Sequence, residues 1–257
     1  RSPVTGRAAV LAARAHLGLE QKAEAVAVLQ KWQSEVEQPE GLFALAAALD
    51  SAGSAAAAAA AYQRVYYEYP LSAEASLAES SLERLRAQLG NDFPPPMPQS
   101  MLNRADRLAR GGDQAKAKRE YELMSSLLAG RDRDLARVRA LAGDQALLAS
   151  LEVEHHEADA ERLYLLHAAA RRAKNDAIAS EAVEELSRKY PKSRWRLEAL
   201  ISLGNMYLLR NDAAKYEPVY EACYESFSSS YCHWKVAWLK YRSGDSSLLK
   251  QHADAYP

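Results

Sequence analysis

The sequence predicts an all-α protein: a right-handed superhelix, or solenoid, of antiparallel helix pairs. Three observations carry the prediction. Apolar residues make up 48% of the 257 positions, and much of that share is alanine, the strongest helix former and small enough to let helices approach closely. Glycine (11) and proline (10) are scarce and clustered. Finally, the turn signals recur at a nearly constant interval. They fall at Gly18, Gly53, Gly112-Asp113, Gly143-Asp144, Asn175-Asp176, Asn211-Asp212 and Gly244-Asp245, at spacings of 35, 59, 31, 32, 36 and 33. Gly or Asn ends one helix in a left-handed conformation, and Asp caps the next.

Along the chain, each stretch takes its place in this rhythm. "SAAAAAAAY" (Ser54 to Tyr62) falls where the second helix of a pair belongs, so a closely packed helix is expected rather than a low-complexity linker. "LSAEASLAESSLERLRAQLG" (Leu71 to Gly90) is an additional helical run and accounts for the one long spacing. "NDFPPPMPQS" comes next, and consecutive prolines favour extended geometry. Residues 91–99 therefore read as a linker between a first block, 1–90, of about five helices and a second, 100–257, of about ten. In "DAAKYEPVY", Pro218 lies about six residues past Asp212, so that helix is expected to start late or kink. In "HWKVAWLKYRSGD", Trp234, Trp238 and Tyr241 share one helical stripe running into Gly244-Asp245, and these aromatics are expected to turn into the core.

The spacings lie close to the 34-residue tetratricopeptide period, and the side chains match its W-x2-L-G-x2-Y, A-x3-F, P signature. One copy has Leu200, Leu203-Gly204, Tyr207, Tyr216, Tyr220 and Cys223; the Trp position is Leu200 and the Ala position is Tyr216. A second has Leu45-Ala46, Leu49, Ala58, Tyr62, Val65 and Pro70, and a third Leu108, Gly112-Asp113, Ala117, Tyr121 and Met124. These residues are interlocking knobs and holes and do no chemistry. In such an array each pair covers the next, so removing a terminal pair exposes core.

The last third narrows the resemblance. Tyr190-Pro191-Lys192-Ser193, Leu203-Gly204, Tyr207-Leu208, His233-Trp234, Ala237-Trp238, Tyr241 and Gly244-Asp245 resemble the recurring units of the superhelical region that precedes the catalytic domain in soluble lytic murein transglycosylases. Leu102 to Met124 looks like the same architecture. The resemblance implies a non-catalytic part of a periplasmic, peptidoglycan-acting enzyme. That family's catalytic domain is lysozyme-like, with a glutamate in an E-S-x-F-x-P-like stretch and a G-L-M-Q-like stretch beyond. Glu225-Ser226-Phe227 echoes the first, but it lies inside the repeat pattern with no G-L-M-Q after it, so no catalytic role passes to Glu225. A catalytic domain is expected beyond Pro257, and "RSPVTG", which is no signal peptide, suggests a start inside a longer protein or after processing.

The remaining features argue against other classes. A net charge of −1 with dispersed Lys and Arg gives no basic face for nucleic acid, and no apolar run approaches the roughly 20 residues of a membrane span. The short basic clusters "GDQAKAKRE" and "ARRAKND" read as polar helix faces. His155 and Asp159 lie four apart in "HHEAD", but without a second histidine at metal-site spacing they read as a solvated, charged helix start. Gly111-Gly112 lacks the Lys-Ser of a phosphate loop. Cys223 and Cys232 flank a helix end, a loop and a helix start. A disulfide there is sterically open, and two ordinary buried residues are the expected state. No catalytic, cofactor or metal residue is assigned. Two readings stand: an accessory superhelix of a lytic transglycosylase, or a stand-alone adaptor binding a protein or peptide on a concave face.

Overall fold

Among the described residues, six turns close with the same hydrogen bond, from a backbone N–H to the carbonyl five residues earlier. They are Gln21 to His16, Ser54 to Leu49, Asp113 to Leu108, Asn175 to Ala170, Asp212 to Tyr207 and Asp245 to Lys240, at 2.8–3.0 Å. This bond needs a left-handed residue one position earlier, as in a Schellman helix end. Gly53, Gly112, Asn211 and Gly244 supply it, with φ of 78°, 95°, 56° and 98°. At the other two turns the left-handed residues are Glu20 and Lys174, not the expected Gly18 and Asn175. Gly18 ends its helix, and Asn175 caps the next one by accepting from Ile178 N–H. A single left-handed non-glycine residue costs about 1–2 kcal/mol, which the repeated bond and the packing of the pair offset.

The turns organise a computed structural model that describes residues 3–256; Arg1 and Ser2 of "RSPVTG" and Pro257 lie outside the described residues. The described residues form fifteen α-helices and no strand. In order these are α1 (Pro3–Gly18), α2 (Lys22–Lys31), α3 (Glu40–Ser51), α4 (Ala55–Glu68), α5 (Ala73–Leu89), α6 (Pro98–Arg110), α7 (Gln114–Leu127), α8 (Gly130–Ala140), α9 (Gln145–Ser150), α10 (His156–Arg172), α11 (Asp176–Lys189), α12 (Arg194–Leu209), α13 (Ala213–Ser226), α14 (Ser230–Arg242) and α15 (Ser247–Ala255). Helices pack with their neighbours in sequence: α1 with α2, α3 with α4, α10 with α11, α12 with α13, α14 with α15. Among the described residues no helix is long and apolar enough to cross a membrane.

The chain forms two compact units, divided after Met124. The expected boundary was the proline-rich segment 91–99, but that segment lies inside the first unit. Gln63 Nε2 donates to the Pro94 carbonyl at 2.6 Å, and the Arg86 guanidinium lies over the Phe93 ring. Beyond it, Arg104 and Arg107 of α6 reach back to the carbonyls of Tyr66 and Tyr67 at 2.6 and 3.0 Å. α5 ends at Gly90, whose φ is positive, and Gln63 and arginine contacts fasten the proline segment and α6 to α4 and α5.

Within each unit, most of the apolar positions singled out in the sequence are buried. Leu200, Leu203, Tyr207, Tyr216, Tyr220 and Cys223 share one buried cluster with Val183, Leu186, Val236 and Leu248. A Cβ on Gly204 would lie 2.6 Å from the Tyr220 ring, so the ring occupies the hole that this glycine leaves. In the first unit Ala58 and Ala59 are fully buried under Leu42, Ala46 and Tyr62, so the alanine run is a contact face. Leu108, Ala117, Tyr121 and Met124 are likewise buried. Two ion pairs, Asp50–Arg84 and Asp176–Arg210, each join residues 34 apart, placing one period's side chain against the next.

Of the two alternatives for the helix around Pro218, the late start is excluded: α13 begins directly after Asp212 and runs through Pro218. Two further expectations at the end of the chain are corrected. The α14 stripe does not turn inward: Trp234 and Tyr241 are 45% and 58% exposed, and Trp238 is half-buried. The buried face of α14 is Cys232, Val236 and Ala237 instead, a strip of smaller residues that lets α13 come close. Finally, Cys223 and Cys232 form a disulfide, with Cα atoms 5.7 Å apart across the α13–α14 junction. Closing so short a loop removes about 2–3 kcal/mol of unfolded-state freedom. Reduction should therefore lower the urea midpoint of the second unit, followed by tryptophan fluorescence with and without dithiothreitol. An unchanged midpoint would show that the bond contributes no stability.

Candidate functional site

The second unit carries a groove of about 640 Å³ between α11 and α13, with α12 as its floor. The floor is apolar: Val183 from α11, Leu200, Leu203 and Tyr207 from α12, Val219 from α13. These positions project together because Leu200, Leu203 and Tyr207 recur at spacings of three and four on α12. Three internal hydrogen bonds hold the hydroxyl side chains of the groove. Ser180 Oγ and Tyr207 Oη share a hydrogen bond of 2.7 Å, and Ser187 Oγ donates to the Val183 carbonyl while accepting from Arg196 Nε. Glu184, Arg188 and Lys215 form a charged rim. Ala214 and Pro218 make part of one wall, and proline's missing N–H removes the helical rung between them. The arrangement suits an extended or helical apolar segment with flanking charge.

The residues weighed in the sequence are dispersed. His155 Nδ1 lies 2.8 Å from Asp134 Oδ2, whereas Asp159 accepts from Arg162 Nε and Tyr190 Oη, both at 2.7 Å. The two therefore do not share a ligand point. The helix start is solvated in part: Glu154, His156 and Glu157 are exposed, whereas Asp159 and, further along α10, Glu161, Arg162 and His167 are buried. The charges inside α10 survive burial because each is paired. Arg139 holds both oxygens of Glu161 at 2.7 and 2.9 Å. Asp134 is fully buried. Burial alone would raise its pKa, but bonds from the His155 ring and the N–H groups of Glu154 and His155 outweigh that and hold it below the usual carboxylate value.

His167 Nδ1 lies 2.9 Å from the Ala179 carbonyl, so it carries the proton, and Nε2 accepts from Ser202 Oγ at 2.9 Å. Burial, with a smaller push from Arg171, holds its pKa below 6.5, although the bond to Ala179 opposes this. Below pH 6.5 the unfolded chain takes up a proton that the folded chain refuses, so stability falls as pH falls, by at most about 1.4 kcal/mol per pH unit. Urea midpoints measured from pH 7.5 to 5.5 should show this slope in the native chain and lose that share of it in His167→Leu.

Glu225 occupies the last turn of α13 and lines a shallow cleft of about 390 Å³ with Tyr224, Ser226, Ser228, Ser229, His233 and Tyr256. It is the single carboxylate among the described residues that line this cleft, whereas glycoside hydrolysis uses two. Gly111-Gly112 is the α6–α7 turn, where Gly111 leaves room for the Leu71 side chain. Lys118, Arg119, Arg171 and Arg172 of the basic clusters are exposed. The sequence reading missed the buried charges Arg104, Asp134, Glu161 and Arg162. The available signal was their register: each sits at a spacing of three or four from buried leucine, valine or alanine on its own helix. No protein-family model and no curated protein matches the chain.

Proposed function

We propose that the chain is a non-catalytic helical-repeat scaffold, a tetratricopeptide-like right-handed superhelix that serves as the accessory domain of a periplasmic peptidoglycan lytic transglycosylase. The observation that carries the scaffold reading is the Gly204–Tyr220 interlock, set among turns that close with one repeated hydrogen bond. Side chains in the signature positions are consumed by packing, which leaves recognition to exposed surfaces. The Cys223–Cys232 disulfide supports an oxidising compartment such as the periplasm. The glycan connection rests on the resemblance of residues 190–245 to the transglycosylase superhelix. The test is the coding sequence beyond Pro257. A lysozyme-like segment with E-S and G-L-M-Q stretches is the expected finding, and a stop codon there overturns the reading.

The groove over α12 favours a second reading, a stand-alone adaptor for a protein or peptide. Its apolar floor and rim of both charge signs are what an amphipathic segment needs. Peptides selected on the chain should lose binding to Val219→Arg, which fills the groove. Retained binding would move the partner's site elsewhere.

A further inference from the structure

The final helix pair brings together two histidines, His233 of α14 and His252 of α15, that lie 19 residues apart in sequence. Their Nδ1 atoms are 2.9 Å apart, and the rings stand 5.0 Å apart between centroids with planes 23° from parallel. Three aromatic rings surround them. Tyr224 meets His233 edge-on at 5.2 Å, Trp234 lies 5.6 Å from His252, and Tyr256 lies 5.6 and 5.1 Å from the two.

We propose that His233 and His252 are the protein ligands of an exchangeable site for a divalent transition-metal ion of the imidazole-seeking class: zinc, nickel or copper. Two imidazole nitrogens bound to one tetrahedral ion at 2.0–2.1 Å stand about 3.3 Å apart, so the pair needs to open by only a few tenths of an ångström. Without a metal, one Nδ1 carries a proton that it donates to the other Nδ1; on binding, that ring takes its Nε2–H tautomer, so both neutral imidazoles turn an Nδ1 lone pair to the ion and no net proton is lost. The flanking rings fix both imidazole planes, so little side-chain freedom remains to be lost on binding.

Donor chemistry points to the same class. Both cysteines are tied in the disulfide, so imidazole is the softest strong donor left among the described residues. No three His, Cys, Asp or Glu side chains converge among the described residues, so water completes the coordination. The adjoining cleft, with the hydroxyls of Ser226, Ser228 and Ser229, provides the room. Two protein ligands plus water describe an ion that comes and goes, bridging α14 to α15 while bound.

Isothermal titration of the oxidised full chain with zinc chloride and nickel chloride tests this. One ion per chain should bind saturably, and saturation should raise the thermal midpoint by about 2–4 °C. His233→Asn and His252→Asn should each weaken binding at least tenfold, whereas His155→Asn should not. Circular dichroism verifies that the variants are folded. In the wild-type chain, the Nδ1 resonances of His233 and His252 should move on zinc addition while those of His16, His155, His156 and His167 stay. The absence of saturable binding, a response at another histidine, or undiminished binding in His252→Asn overturns the proposal.

Discussion

Replacing Tyr220 by alanine is expected to destabilise the second unit by about 3–5 kcal/mol, the range for emptying a large aromatic from a core. The ring is fully buried in the hole above Gly204, and its hydroxyl donates to Asn205 Oδ1 at 2.6 Å. Tyr220→Phe isolates the hydroxyl and should cost about 0.5–1.5 kcal/mol. Gly204→Ala, which drives a methyl against the ring, should cost about 1–3 kcal/mol. In the double variant Gly204→Ala/Tyr220→Ala the methyl enters the space the ring has vacated, so the loss should be smaller than the sum of the two singles. Urea unfolding followed by tryptophan fluorescence reads the right unit, because Trp195, Trp234 and Trp238 lie within it and only Trp32 lies outside. Additive losses would mean that the two side chains do not interlock.

Arg104→Ala should destabilise the first unit by about 2–4 kcal/mol. Arg104 is 2% exposed, lies 3.6 Å over the Tyr66 ring, and binds both the Tyr66 carbonyl and Glu120 Oε1. Its loss leaves a partly buried carboxylate and an unpaired carbonyl together. Burial already raises the Glu120 pKa above 4.5, with Arg104 working against that rise. In the variant the opposing charge is gone, so Glu120 binds a proton more readily in the folded state. The deficit against wild type should therefore shrink as pH falls from 7 towards 4.5. Hydrogen exchange on α4 amides provides the spatial readout. Faster exchange there in Arg104→Ala is expected, and unchanged exchange would mean that Arg104 does not fasten α6 to α4.

Helix number and the turn positions were legible in the sequence because they depend on local chemistry. Left-handed glycines and Asp caps act within five residues, so Gly53, Gly112 and Gly244 announced themselves. Glu20 and Lys174 did not, since nothing local marks a charged residue for a positive φ. The aromatic stripe of α14 misled for a related reason. Spacing places Trp234, Trp238 and Tyr241 on one face but says nothing about which face meets α13, and Cys232, Val236 and Ala237 give the closer approach. Register hinted that charges inside α8 and α10 are buried, but their partners were illegible, because groups such as Arg139 and Glu161 are 22 residues apart. The same holds for His233 and His252, and for the groove, which exists only once three helices pack.

The disulfide across the α13–α14 junction also sets how the molecule responds to force. A chain pulled from its two ends unravels to nearly full length, except that the nine-residue span from Cys223 to Cys232 cannot pay out while the bond holds. At about 3.4 Å per extended residue, less the 5.7 Å already spanned by the Cα atoms, the oxidised chain should come up short by about 25 Å. Single-molecule extension curves in oxidising and reducing buffer should differ by that step, arising wholly in the second unit.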